Sequence, residues 1–147
     1  MNVENDGGEQ NGVKRQLPLL NGDNRAFWTG GERGELLIMH CLECDRYIHP
    51  PRPRFGKCGA GNVAPKAVSG HGAVKAFTIN VQQWVPNLEV PYVVAAIELV
   101  EQERLYVFAN VIGCEPAEVR SGMTVAVEFE RFEDVWLPLF RPVEAAA

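Results

Sequence analysis

Alternating apolar and polar positions run through the second half of the chain and predict β-strands there. Between residues 123 and 132 every second position on one side is apolar. Successive side chains of a strand point to opposite faces, so a period of two buries one face of a sheet. The same reasoning applied to the other strands predicts the following core residues: Val94, Val107, Val125, Val127 and Phe129.

The remaining strands follow from β-branched segments and the breaks between them. Residues 35–40 predict a short strand, and residues 91–100 and 104–112 predict a hairpin around a polar turn at 101–103. Residues 64–84 are interrupted by Gly70-His71-Gly72, and glycines within a strand mark a bulge or a bend. We expect this bend to let one long strand serve two sides of a small barrel, which residues 135–140 would close.

Two short helices are predicted. The first starts at Asp23 or Asn24, ends at Gly34 and is anchored by the aromatic residues at 27 and 28, although Gly30 and Gly31 each cost roughly 1 kcal/mol relative to alanine. The second is a single turn at 115–120, with proline at its first position. About five strands with one helical turn before the last pair are typical of an OB-type barrel.

The segment 40–59 carries the sharpest chemical signal. Cys41 and Cys44 are separated by two residues, which is the spacing of a zinc-ribbon knuckle. A second knuckle should supply two more thiolates, but it has Phe55 in place of a ligand and keeps only Cys58. Three interpretations remain open: the metal is lost and Phe55 fills its place; Cys41, Cys44 and Cys58 hold zinc with His40, His49 or water; or the cysteines are redox-active or incidental.

These patterns together predict a mainly β chain, in which a short N-terminal helix and a degenerate zinc ribbon precede a five- or six-stranded OB-type barrel. We expect a flexible tail at residues 1–22, because that segment is polar and has no periodicity. The helix and ribbon would occupy residues 23–63, and the barrel residues 64–147.

Composition and charge narrow the classes of function. The 147 residues carry a formal net charge of −5, which disfavours a general nucleic-acid binder. The apolar runs are too short to cross a bilayer, and no apolar signal segment opens the chain, so we expect a cytoplasmic protein without a membrane span. The basic residues near the cysteines are either a solvated spacer or contacts to a phosphate or an acidic partner surface: Arg46, Arg52, Arg54 and Lys57.

The barrel half offers few groups for catalysis. It contains one histidine, His71, and two serines, Ser69 and Ser121, with no evident acid–base pair. Cys114 is expected to be a buried thiol. We therefore predict no catalytic residue in this chain.

The order of motifs resembles a family that joins a rubredoxin-like zinc ribbon to an OB-fold and partners thiolases and lipid-transfer-type thiolase relatives. The small subunit of benzoylsuccinyl-CoA thiolase is an example. The matching pieces span about residues 24–140 and include Phe27-Trp28, Cys41-x-x-Cys44, Pro50-Pro-Arg-Pro53, Cys58-Gly59, Ser69-Gly-His-Gly72 and Gly113-Cys114-Glu-Pro116.

The resemblance implies a non-catalytic accessory subunit that shapes the acyl-CoA pocket of a thiolase-like partner, which makes or breaks a C–C bond. CoA or acyl-CoA would be shared with that partner, and the four basic residues would be candidate contacts to it. A free-standing short chain fits the thiolase pairing, including aromatic acyl-CoA degradation, better than the steroid systems. Phe55 departs from the family pattern and puts the zinc in doubt.

Two other classes compete with this hypothesis. Ribbons and OB-folds also bind nucleic acids, and Trp84, Phe77 and Tyr92 could stack on bases. The alternative function is therefore a nucleic-acid-binding zinc-ribbon and OB module. A metal-dependent redox or hydrolytic enzyme is the third hypothesis.

Overall fold

Two β-sheets make up most of the fold in the computed structural model, which describes residues 16–54, 59, 61–84 and 88–144. A helix α1 and a 3₁₀ helix precede the strands, and a second 3₁₀ helix separates the sixth and seventh. In chain order the elements are α1 Arg25–Thr29, 3₁₀ Gly30–Arg33, β1 Leu36–Cys41, β2 Arg46–Ile48, β3 Val63–Val68, β4 His71–Asn80, β5 Tyr92–Leu99, β6 Tyr106–Val111, 3₁₀ Pro116–Glu118, β7 Thr124–Phe132 and β8 Val135–Pro142.

The small sheet has the order β2-β1-β3 and forms the ribbon. Strand β3 pairs with β1 along its whole length, from Leu36 opposite Val68 to Cys41 opposite Val63. The expectation that residues 64–84 form one strand of the barrel was therefore wrong, because the segment changes sheets at Gly70. That glycine has φ +79°, and its carbonyl accepts a hydrogen bond of 2.8 Å from the Val127 amide.

The large sheet is a closed barrel with the order β4-β5-β6-β8-β7, as expected for a five-stranded OB-type barrel. Strands β6 and β8 meet in parallel at Val111 and Phe140, where the amide of Ile112 donates to the Phe140 carbonyl at 2.8 Å. The bulge of β4 lies between Val74 and Ala76. The predicted mainly β fold class is confirmed.

One hydrophobic core extends from the helix and the ribbon into the barrel. Phe27, Leu36 and Ile38 belong to the same buried cluster as the barrel residues. The predicted core residues Val107 and Val125 are buried, and Val127 and Phe129 pack against the cluster. The prediction for Val94 was wrong: its neighbours Val93 and Ala95 point inward, so alternation places Val94 on the outer face.

The N-terminal helix begins directly after Asn24, as predicted, and a hydrogen-bonded turn precedes it. Asn24 is the N-cap residue, but its side chain bonds backward, donating to the Leu19 carbonyl at 3.0 Å and accepting from the Asn21 amide at 2.8 Å. Residues 19–22, which the sequence assigned to a flexible tail, form part of this turn. Residues 1–15 lie outside the described part of the chain. Gly34 ends the helical segment with φ +71°, as predicted.

The glycine pair inside the helical segment allows it to approach the barrel closely. A Cβ atom on Gly31 would lie 2.5 Å from Cβ of Trp136 and 2.6 Å from the Phe129 ring, while one on Gly30 would lie 2.5 Å from the Glu35 carbonyl oxygen. Glycine is needed here for space, which offsets its poor helix propensity.

The turn between β5 and β6 holds the ribbon against the barrel. The Gln102 side chain accepts from the Tyr47 amide at 2.9 Å and donates to the Tyr47 carbonyl at 3.2 Å, so it pairs with β2 as another strand would. Glu101 accepts from the amide and the hydroxyl of Ser69 at 2.9 and 2.6 Å. The polar turn predicted at 101–103 thus joins the two sheets.

Replacing Gly31 with alanine is expected to destabilise the fold by about 1–3 kcal/mol, the usual cost of overpacking. The added methyl group would overlap Trp136 and Phe129. Urea unfolding measures the loss. Gly22→Ala is the matched control, since its Cβ meets no atom within 4 Å; equal midpoints for the two variants would contradict the close approach.

Replacing Gln102 with alanine is expected to cost about 1 kcal/mol of stability, because it removes two hydrogen bonds to the Tyr47 backbone. Hydrogen exchange should accelerate at the Tyr47 amide more than in the barrel core. Gln82→Ala is the control, because that exposed side chain bonds to no described residue. Unchanged exchange at Tyr47 would show that the ribbon is held by the core alone.

Candidate functional site

The first cysteine knuckle lies at the end of β1. Cys41 is buried and Cys44 is half-buried, and the turn between them is closed by a 3.0 Å hydrogen bond from the Asp45 amide to the Cys41 carbonyl. Asp45 adopts φ 55°, which completes this tight turn. The predicted ligand Cys58 and the substituted position Phe55 lie outside the described residues.

The residues that the structure describes do not assemble a metal site. Within the described ranges, no three histidine, cysteine or acidic side chains group closely enough to hold an ion. The His40 ring is bonded through Nε2 to Asp45 Oδ1 at 2.7 Å, and alternation along β1 turns it away from Cys41. His49 packs instead on Phe27, with ring centroids 4.7 Å apart. Neither histidine therefore joins Cys41 and Cys44 among the described residues, and zinc binding by the three cysteines stays a prediction.

The basic residues of the ribbon are exposed, and one of them is engaged within its own loop. Arg46 lies on the edge strand β2 opposite Cys41. Arg54 donates from Nη1 to the Gly59 carbonyl at 3.1 Å, whereas the Arg52 side chain bonds to no other described residue. Lys57 lies outside the described residues. Their role as contacts to CoA or a partner stays a prediction.

A cavity of about 480 Å³ opens where the helix, the ribbon and the barrel meet, and we call it the junction cavity. Phe27 forms part of its floor and packs edge-on against Trp28, with ring centroids 4.7 Å apart. Its wall on the barrel side comes from the outward residues of β6. The apolar lining comprises Phe27, Trp28, His49, Pro51, Tyr106 and Phe108.

The floor of the junction cavity is uncharged at neutral pH. Burial lowers the pKa of His49 from 6.5 to about 4, so its imidazole is neutral. Its Nδ1 atom is buried and has no hydrogen-bond partner among the described residues. The charged residues of the lining are Arg104 and Asp23. Neither side chain forms an ion pair within the described chain.

A second cavity of about 490 Å³ lies beside the start of β5 and the end of β6, and Cys114 lines it. Desolvation raises the pKa of the Cys114 thiol, and the carboxylates of Glu118 and Glu115 raise it further. The thiol is half-buried, as expected in part from the sequence. A thiol with a raised pKa is a weak nucleophile at neutral pH.

The aromatic residues proposed for base stacking have different surroundings. Trp84 is 69% exposed after β4, and its indole donates to Asn80 at 3.1 Å. Phe77 packs against the core, and Tyr92 lines the second cavity. In the part of the chain that is described, no helix has the length and apolar character needed to cross a bilayer.

The junction cavity was not predicted from the sequence, although the alternation in β6 contains one indication of it. In β6 the inward residues are Val107, Ala109 and Val111, so the same alternation turns Tyr106 and Phe108 outward. A single exposed apolar side chain is ordinary, but two outward aromatic residues on one strand are a signal for a contiguous apolar patch, which often marks an interaction surface. The contribution of Phe27, Trp28 and His49 to the cavity can be seen only in the folded structure, because these residues are distant in sequence from β6.

Two family models together match most of the chain. The model described as the rubredoxin-like zinc ribbon domain of ChsH2 matches residues 28–64, and the model of the C-terminal OB-fold domain of ChsH2 matches residues 65–130. These matches agree with the ribbon and barrel seen in the structure.

Individual relatives give the same result. The "Probable enoyl-CoA hydratase alpha subunit" of Thermomonospora curvata is 33% identical over 87% of this chain, but the chain spans only 40% of that relative's length. The "DUF35 domain-containing scaffold protein" of Methanocaldococcus jannaschii is 31% identical over 70% of this chain and 73% of its own length.

A solved structure extends the similarity to three dimensions. A chain of the "Ltp2-ChsH2(DUF35) aldolase" superimposes with a TM-score of 0.78 and 30% identity, covering 86% of this chain and 98% of that one. The fold, the two matched domains and these relatives agree, and the chain belongs to the ChsH2 (DUF35) family of rubredoxin-like zinc-ribbon and OB-fold proteins.

Proposed function

We propose that this chain is the non-catalytic accessory subunit of a thiolase-like complex that makes or breaks a C–C bond in an acyl-CoA. Its role is to bind the catalytic subunit and to shape the wall of that subunit's acyl-CoA pocket. The observation that carries the proposal is the similarity to the DUF35 chain of the Ltp2-ChsH2 aldolase over nearly all of that chain.

The relatives support a scaffold role in two ways. The archaeal relative carries the words scaffold protein in its name, and the solved relative is part of an aldolase named for two components. The hydratase alpha subunit spans more than twice the length that matches here, so its own activity does not transfer to this chain by similarity.

The chemistry of the described residues also favours a partner as the source of catalysis. The thiol of Cys114 has a raised pKa, and the ring of His40 is bonded to Asp45. Among the described residues, no histidine ring is hydrogen-bonded to a thiol or a hydroxyl. A nucleophile activated by an adjacent base, which acyl transfer at a thioester needs, would come from the other subunit.

The substrate we propose to test first is an aromatic acyl-CoA such as benzoylsuccinyl-CoA, in a cytoplasmic pathway of aromatic degradation. The support is the resemblance of the motif order to a family that has the small subunit of that thiolase as an example. CoA would be shared between the subunits. Arg46 and Arg52 are the proposed contacts to its phosphates, because both are exposed on the ribbon.

Co-expression with a thiolase-like catalytic subunit from the same organism is expected to yield a stable complex. Turnover of benzoylsuccinyl-CoA with free CoA, followed by mass spectrometry, should require both proteins, since only the partner supplies a nucleophile. This chain alone, and the partner alone, are the controls. Separate elution of the two proteins, with full activity of the partner alone, would reject an accessory role.

The proposed scaffold role does not depend on a bound metal. Leu36 and Ile38 of the ribbon are buried in the core that it shares with the barrel, and phenylalanine occupies position 55 where a fourth thiolate would be. We propose that packing, and not coordination by Cys41, Cys44 and Cys58, holds the ribbon in place.

Prolonged treatment with EDTA is accordingly expected to leave the thermal unfolding midpoint unchanged. In contrast, a four-thiolate ribbon commonly loses its fold when its zinc is removed. Calorimetry with metal content measured before and after treatment provides the comparison. A fall in the midpoint that added zinc reverses would assign the three cysteines a structural metal and contradict the expectation.

A further inference from the structure

The junction cavity continues onto an apolar outer face of the barrel. Phe108 projects from β6 at the cavity and is 73% exposed, and its partner across the strand pair is Ala96 of β5. Ala96 in turn pairs with Ala76 of β4. Directly paired residues point to the same side of a sheet. Ala96 and Ala76 therefore lie beside Phe108 on the outer face, and their small side chains leave that face flat.

This shape suits a protein surface better than a small molecule. A small-molecule site usually encloses most of its ligand, whereas here a cavity opens beside a flat strand face. Phe108 lies between the cavity and the flat strand face. Its side chain would be covered only by an occupant that fills the cavity and also packs on the sheet. Burying its side chain would stabilise such a complex.

The charges at the cavity favour an acidic group on the occupant. Arg104 lines the cavity, its guanidinium bonds to no described residue, and its backbone is fixed by a 3.0 Å hydrogen bond from its amide to Glu98. Arg52 follows Pro51, another lining residue, and is also unpaired within the described chain. Asp23 is the one acidic residue of the lining and Arg104 the one basic residue, and no ion pair joins them.

The floor of the cavity offers aromatic surface. Phe27 and Trp28 pack edge-on, and the His49 ring packs on Phe27 with centroids 4.7 Å apart. Aromatic pockets of this kind bind the anchor side chains that carry most of the energy of a protein interface.

We propose that the junction cavity is the socket for the catalytic partner: an apolar side chain of the thiolase-like subunit inserts against Trp28 and Phe108, and a neighbouring carboxylate of that subunit pairs with Arg104. This inference rests on the proposed function and adds the surface through which the chain binds the catalytic subunit. The flat face beside Phe108 then packs against the partner around the inserted side chain.

The test measures, by titration calorimetry, the affinity of the purified chain for the thiolase-like subunit with which it forms a complex on co-expression. Phe108→Ser and Arg104→Glu are each expected to weaken binding about tenfold or more. Trp84→Ser is the matched control, because Trp84 is similarly exposed at 69% and lies outside the cavity lining. Thermal unfolding of each variant checks the fold, which these exposed positions should leave intact.

The outcomes separate the inference from the proposed function. Absence of binding by the unmodified chain would overturn both. If the unmodified chain binds and both cavity variants bind with the same affinity, only the socket is overturned. An equally large loss of affinity in Trp84→Ser would also overturn the socket alone. Two further results would also overturn it: normal assembly with only a raised KM for the acyl-CoA, which would mark a ligand pocket, or a homodimer of this chain that Phe108→Ser dissociates.

Discussion

The continuous hydrophobic core between ribbon and barrel is the constraint on which the rest of the structure depends. A three-stranded ribbon is too small to bury a core of its own, and this one lacks the fourth cysteine of a complete zinc ribbon. Here Leu36 and Ile38 are buried in the barrel's own cluster, with Phe27 beside them. The ribbon is therefore stabilised as a part of the barrel.

This shared packing also fixes the geometry that function needs. Because Gln102 pairs with the edge of β2 and Glu101 holds Ser69, the ribbon has one orientation on the barrel. The cavity between them is then a pre-formed surface. A subunit that shapes another protein's pocket benefits from such rigidity, since less entropy is lost when the two associate.

The success and failure of individual predictions have physical causes. The period of two correctly identified β7 and placed Val107 and Val125 in the core, because alternating apolar residues bury one face of a strand. It failed at Val94, where both neighbours were apolar and the register was ambiguous. The glycines at 30 and 31 weakened a correct helix prediction, because the space they leave for Trp136 and Phe129 is invisible in the local sequence.

The sequence by itself determined the mainly β class, the OB-type barrel and the incomplete cysteine set, since strand periodicity, turn residues and ligand spacing are local properties of a chain. It also carried the family resemblance. Only the tertiary structure decided that β3 joins the ribbon, that Gln102 completes the edge of β2, and that a cavity forms between Trp28 and Phe108. Those features join residues far apart in the chain, and their meeting depends on how two sheets pack.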